Sequence, residues 1–106
     1  MLVVIALAIT IAAPGGGTTY HASADGGTVI NPADLAVAVH VANMGKKAGT
    51  PSCTIQAQDP SGAYSGVDVA TLKGSMAPGA TTTFVDNLTI TKEGAQYVTD
   101  VSVKCS

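Results

Sequence analysis

The chain contains no tryptophan and no arginine, only one phenylalanine (Phe84), and charged side chains at just 11% of its positions. Five lysines against seven acidic residues leave a formal net charge of −2, so no basic surface exists to neutralise phosphates or anionic lipid. Nucleic acid is therefore not expected as a partner. Cysteine is nearly absent as well: Cys53 and Cys105 are the only two. Such a pair supplies neither the several closely spaced ligands of a zinc site nor a C-x-x-C redox motif. With 106 residues there is room for one domain. Internal repeats are missing, and so is any helical period after residue 14.

What the sequence has in quantity is alanine, threonine, valine and glycine, the usage of β-structure built from small residues. "LAVAVHVAN", residues 35–43, alternates strictly, with Leu35, Val37, Val39 and Val41 on one face and Ala36, Ala38, His40 and Ala42 on the other. "CTIQAQ" alternates in the same way and sets Cys53, Ile55 and Ala57 inward. "DPSG", residues 59–62, has Asp first, Pro second and Gly fourth, which fits a type I turn. "MAPG" makes another turn before "TTTFVDNLTI". There Asp86 shares the parity of Phe84, Leu88 and Ile90. A buried unpaired carboxylate is costly, so a bulge is expected near Asp86-Asn87. "YVTDVSVKC" then places Val101, Val103 and Cys105 inward. The expected strands are 27–30, 35–43, 53–58, 63–72, 81–90 and 97–105, with a seventh if the fourth divides. This predicts an all-β fold, an antiparallel sandwich of roughly six to seven strands.

Cys53 begins one of these strands and Cys105 ends the last, on the same inward parity. In antiparallel neighbours the start of one strand lies opposite the end of the other, so a Cys53–Cys105 disulfide is expected, in an oxidising compartment. Closing so long a loop stabilises a fold by about 4 kcal/mol on chain-entropy grounds.

The segment "MLVVIALAITIAA" is almost wholly apolar and ends at "PGGG". As a helix from Leu2 to Ala13 it would extend about 18 Å, against roughly 30 Å of bilayer hydrocarbon. It matches the apolar region of a signal peptide, although no lysine or arginine precedes it. Ala22-Ser23-Ala24 offers a cleavage site, with the mature chain starting at Asp25. "TTYHASADGG" is expected as linker. The domains are thus 1–24, a signal peptide or retained apolar segment plus linker, and 25–106, the β-domain. If the segment is retained, Val3, Ile5, Leu7 and Ile9 form an apolar stripe able to pair with a neighbouring subunit's sheet edge. The implied location is secreted, extracellular or at the cell surface.

No catalytic constellation is expected, since Ser, His and Asp occur without a G-x-S-x-G element or other strained nucleophile turn. His40 is expected at the surface, and Met76 is expected to plug one end of the sandwich. His40 and His21 with Met44 and Met76 have the ligand chemistry of copper but no motif spacing. Asp59, Asp68, Asp86 and Asp100 carry calcium-type oxygens but form no local loop. No metal and no cofactor are expected. Lys46-Lys47 is a charged turn tip, and Asn87-Leu88-Thr89 is a glycosylation sequon.

Residues 34–105 combine a valine-rich strand, the turn Asn43-x-Gly45, a strand ending in Asp59 to Gly62, and Ala77-Pro78-Gly79 before the strand of Phe84. This arrangement resembles the immunoglobulin-like β-sandwich modules of bacterial and archaeal secreted or surface proteins, of the FxLYD and CARDB kind. The resemblance implies a non-catalytic module used in recognition, adhesion or spacing, with no shared active site. The protein or cell-surface partner is left open. The alternative is a structural subunit of an extracellular filament, self-associating through its N-terminal apolar segment.

Overall fold

The computed structural model describes residues 19–106. Seven strands run in the order β1 (Tyr20–Ala24), β2 (Thr28–Asn31), β3 (Asp34–Asn43), β4 (Ser52–Gln58), β5 (Ser65–Thr71), β6 (Thr81–Thr89) and β7 (Asp100–Cys105). Single 3₁₀ turns at Thr91–Glu93 and Ala95–Tyr97 lie between β6 and β7. All pairings are antiparallel. One sheet has β3 at its centre, with β6 along one edge and β1 and β2 in succession along the other. The second sheet runs β5-β4-β7. The two sheets face each other as a β-sandwich.

The core follows from alternation. Leu35, Val37, Val39 and Val41 of β3 face Cys53, Ile55 and Ala57 of β4 and Val101, Val103 and Cys105 of β7, and all are buried. Two contributions differ from expectation. Residues 20–24, expected as linker, form β1: Tyr20 pairs with Asn43 and Ala24 with Val39, and Tyr20, Ala22 and Ala24 are buried. Their small inward side chains let β1 pack beside β7. The seventh strand is therefore β1 and not half of the fourth, and the folded unit reaches back to Tyr20. Ala22 and Ala24, the small residues of the expected cleavage site, belong to the core. The second difference concerns β6. Its register with β3 runs unbroken from Thr81 to Thr89, with Asp86 opposite Val37, so the bulge expected at Asp86-Asn87 does not form. Asp86 stays in register and is only partly buried, beside the carboxyl of Asp68 on β5, a neighbour that the sequence pattern could not supply. The apolar stripe Val3, Ile5, Leu7 and Ile9 lies outside the described residues.

Turn chemistry fixes the ends. The Gly62 amide donates to the Asp59 carbonyl at 3.0 Å, closing the Asp-Pro-Ser-Gly turn. The Ala80 amide donates to the Ala77 carbonyl at 3.0 Å, and Gly79 takes the positive φ of 82° that the Pro-Gly turn requires. Met76 is buried at the sandwich end, as expected. Gly94 is also needed for packing: a Cβ there would overlap the ring of Tyr64, which stacks on Tyr97 with centroids 5.0 Å apart.

Cys53 and Cys105 are direct cross-strand partners on β4 and β7, with Cα atoms 4.0 Å apart, and they form the disulfide. Ser52 and Ser106 exchange both backbone hydrogen bonds just beyond it. Replacing both cysteines with alanine is expected to lower unfolding stability by about 2–5 kcal/mol. Denaturant melts of the non-reduced protein and the double variant measure this; equal midpoints would show that the bridge carries no stability.

Candidate functional site

The outward face of the β1-β3-β6 sheet carries the densest grouping of polar side chains with chemistry to offer. The alternation that sends valines inward sends Ala36, Ala38, His40 and Ala42 of β3 outward. The central strand is thus low, and its neighbours stand above it. Register places His40 between Ser23 on β1 and Thr83 on β6, and Ala42 between His21 and Thr81. The result is two shallow depressions in the sheet surface. One, of about 340 Å³, is lined by His21, Ser23, His40, Ala42, Thr81 and Thr83, among others. The other, of about 260 Å³, lies over Ala36 and Ala38, between Val85 and the Asp25-Gly26-Gly27 segment.

His40 is the chemical centre of this face. Its Nδ1 lies 3.0 Å from the Thr83 hydroxyl oxygen. Its Nε2 lies 3.7 Å from Oδ1 of Asp25, close enough for an ion pair when the ring is protonated. Asp25 is held in place because its amide donates to the Ala38 carbonyl at 3.0 Å. Aspartate, histidine and hydroxyl thus stand in the linear order of a proton relay. Chemistry on an acyl group needs, in addition, N–H donors aimed at a developing oxyanion. Here β3 is paired along both of its edges, while β1 and β6 pair with β3 alone. With the His40 and Asp25 side chains 49% and 64% exposed, the arrangement can orient an imidazole and present it to a ligand in water.

Of the residues that the sequence grouped for metal chemistry, the structure brings His21 and His40 to one depression and Asp68 beside Asp86, and separates the rest. His40 is on the outer face, Met44 is exposed in the turn after β3, and Met76 is buried in the sandwich end. Asp100 is exposed at the start of β7. Among the described residues, no three His, Cys, Asp or Glu side chains converge as ligands. Asn87 and Thr89 of the sequon face outward on β6 and are exposed.

Asp59 serves its own turn. Its carboxylate accepts from the Ser61 hydroxyl at 2.7 Å, from the Tyr64 amide at 3.0 Å and from the Ser61 amide at 3.4 Å. The Tyr64 amide, followed by the Ser61 hydroxyl, holds the carboxyl below its ordinary value of 3.8, outweighing the opposing effect of burial.

Sequence alternation identified His40 as surface-facing, but Asp25, Ser23 and Thr83 were not grouped with it. The signal is present in retrospect: Thr81, Thr83 and Val85 share the outward parity of β6. What was lacking was the register that sets Thr83 beside His40. No protein-family model matches this chain, and no curated protein or solved structure matches it either.

The lowered value for Asp59 has a definite sign. Its contribution to stability is fully present above the unfolded value and is lost as pH falls through the folded one. Asp59→Ala should therefore be less stable than the wild type at pH 6 and converge with it toward pH 2. Thermal melts across that range measure the gap; one that persists undiminished at pH 2 would show that the ionised carboxylate is not what holds the turn.

Proposed function

We propose that the protein is a non-catalytic immunoglobulin-like module, of the FxLYD and CARDB kind, that works outside the cytoplasm in recognition, adhesion or spacing. The observation that carries this reading is the Cys53–Cys105 disulfide within a single small sandwich. Such bridges persist where thiols are not kept reduced, and in small domains they supplement a core of limited size. Here the core is built largely from valine and alanine. The outward face around His40 supports the recognition reading. It offers a hydroxyl, an imidazole and a carboxylate on a rigid sheet, the kind of platform on which binding groups are held without a mobile loop.

The same reading assigns β1 to the working module. Ala24 pairs with Val39, so cutting after it would take a paired strand out of the sheet and uncover inward side chains of β3. The leader, if it is removed, is cut before Tyr20.

The experiment is intact mass and N-terminal analysis of the protein from its native source, without reduction, together with cell fractionation. The expected outcome is a species two hydrogens lighter than the reduced chain, outside the cytoplasm, starting at or before Tyr20. Free thiols in freshly isolated native protein would remove the compartment argument, and a start at Asp25 would remove β1 from the module. Filaments retaining Val3 to Ile9 between subunits would replace this reading with that of a structural subunit.

A further inference from the structure

β5 and β6 belong to different sheets and meet by packing alone. At one end of this seam they come very close. A Cβ on Gly66 would lie 2.5 Å from the Thr89 carbonyl oxygen, so only glycine permits the approach. Thr91 fastens the same end: its hydroxyl accepts from the Ser65 amide at 3.1 Å and donates to the Ala63 carbonyl at 3.4 Å. Farther along, nothing comparable holds the strands. Asp68 and Asp86 occupy that part of the seam, both on inward parity.

Their surroundings offer the carboxyls almost nothing. Register sets Asp68 opposite Ile55 and Asp86 opposite Val37, both fully buried. The inward residues of β3 and β4 are Leu35, Val37, Val39, Val41, Asn43, Cys53, Ile55 and Ala57. None of them titrates, because Cys53 is in the disulfide. Oδ2 of Asp86 is buried without a conventional hydrogen-bond partner. Neither aspartate makes an ion pair with a lysine or histidine among the described residues, where the one such contact is His40 with Asp25 on the outer face. A buried carboxyl oxygen beside a second carboxyl can be satisfied by a proton shared between them.

We propose that Asp68 and Asp86 share one proton across the β5–β6 seam, and that this proton is a latch whose loss to solvent loosens the packing of β5 on β6 from Asp68 to Thr71. Removing it leaves two carboxylates facing each other in a partly dry seam. The repulsion acts at the middle of β5, beyond the close contact at Gly66, while the ladder to β4 keeps the strand in its own sheet. Ala70, Leu72 and Phe84, which pack against the core from this side, become more exposed when the seam loosens. The module is thereby tightest in mildly acid surroundings, and the β5–β6 seam loosens at neutral pH and above. Burial, followed by the neighbouring Asp68 carboxyl, pushes Asp86 up to about 6 from an ordinary 3.8. A folded-state value above the unfolded one means that stability is greatest while the proton is bound and declines as pH rises through the folded value. This is the opposite direction to Asp59.

The test is a carbon-13 NMR titration of the aspartate carboxyls in the full chain, with amide exchange along β5 corrected for its intrinsic pH dependence. In the wild type, Asp86 should titrate near 6, and protection of the β5 amides, with that of the β4 amides paired to them, should fall across the same interval while the amides that β4 pairs with β7 stay protected. Asp68→Asn should return Asp86 toward ordinary carboxylate values. Asp86→Asn should abolish the pH dependence of β5 protection and leave any change from His21 or His40 in place. An Asp86 that titrates below 4.5 in the wild type, or β5 protection that is flat from pH 5 to 8, would overturn the proposal. Neither readout depends on whether the variants fold.

Discussion

The side chain of Asn43 fastens one end of the sandwich. It stands on the inward parity of β3, fully buried, where the valine pattern would otherwise continue. Its amide nitrogen donates to the carbonyls of Lys47 and Met76, each at 2.9 Å, and its side-chain oxygen accepts from the Gly45 amide at 2.9 Å. Its backbone amide donates to Ala80 and its carbonyl accepts from Gly79. Two stretches are thus tied to a single residue: the turn that leaves β3, and the distant segment from the bridge at Met76 through the Pro-Gly turn that starts β6. A buried polar group left unpaired costs about 1–3 kcal/mol, so an apolar residue here would leave several such groups to be paid for. With the end fixed, β6 enters in the register that brings Thr83 to His40, and Met44 donates back to Thr19 at the start of β1.

The two long sides of the sandwich are closed by different physics. On one, β1 packs beside β7, and alanines, valines and the disulfide-bonded Cys105 fill the space. That closure is apolar and covalently backed, and pH has little to act on. On the other, β5 turns its valines outward: Val67 and Val69 are 59% and 60% exposed. It sends Gly66, Asp68 and Ala70 inward instead. This reversal leaves the β5–β6 side with less apolar surface to bury and gives it a pair of carboxyls. Stability in a sandwich of this size is therefore uneven around its perimeter, and local opening is drawn from the side with the thinner core.

Much of the fold was legible because period-two alternation is strong wherever one face is buried. The strands from β3 to β7 lie within a few residues of their expected limits, and the disulfide followed from shared parity at opposite strand ends. β1 was hidden because its inward residues after Tyr20 are alanines, which carry little hydrophobic signal, and because glycine-rich sequence flanks it. The absence of a bulge at Asp86 could not be foreseen for a different reason. Burying a lone carboxylate is costly, but the group that Asp86 meets stands on β5, and proximity between sheets leaves no local trace in the sequence. The same limit applies to the outer face. Which residues point outward is a one-strand property; which of them become neighbours depends on register.

That separation also explains how such a sandwich can carry a binding surface at little cost to its stability. His40 lies between Val39 and Val41, both nearly inaccessible, yet its own side chain is about half exposed. Changing an outward residue leaves the inward set and the ladder intact, so the face can vary while the core is conserved in volume. The alanines of β3 matter in this respect because they keep the centre of the sheet low, and larger residues on β1 and β6 then line the depression at His40 from both sides. A ligand approaching this face meets side chains whose backbones are held on rigid, paired strands. The ordering cost that a loop would incur on binding has already been met by folding.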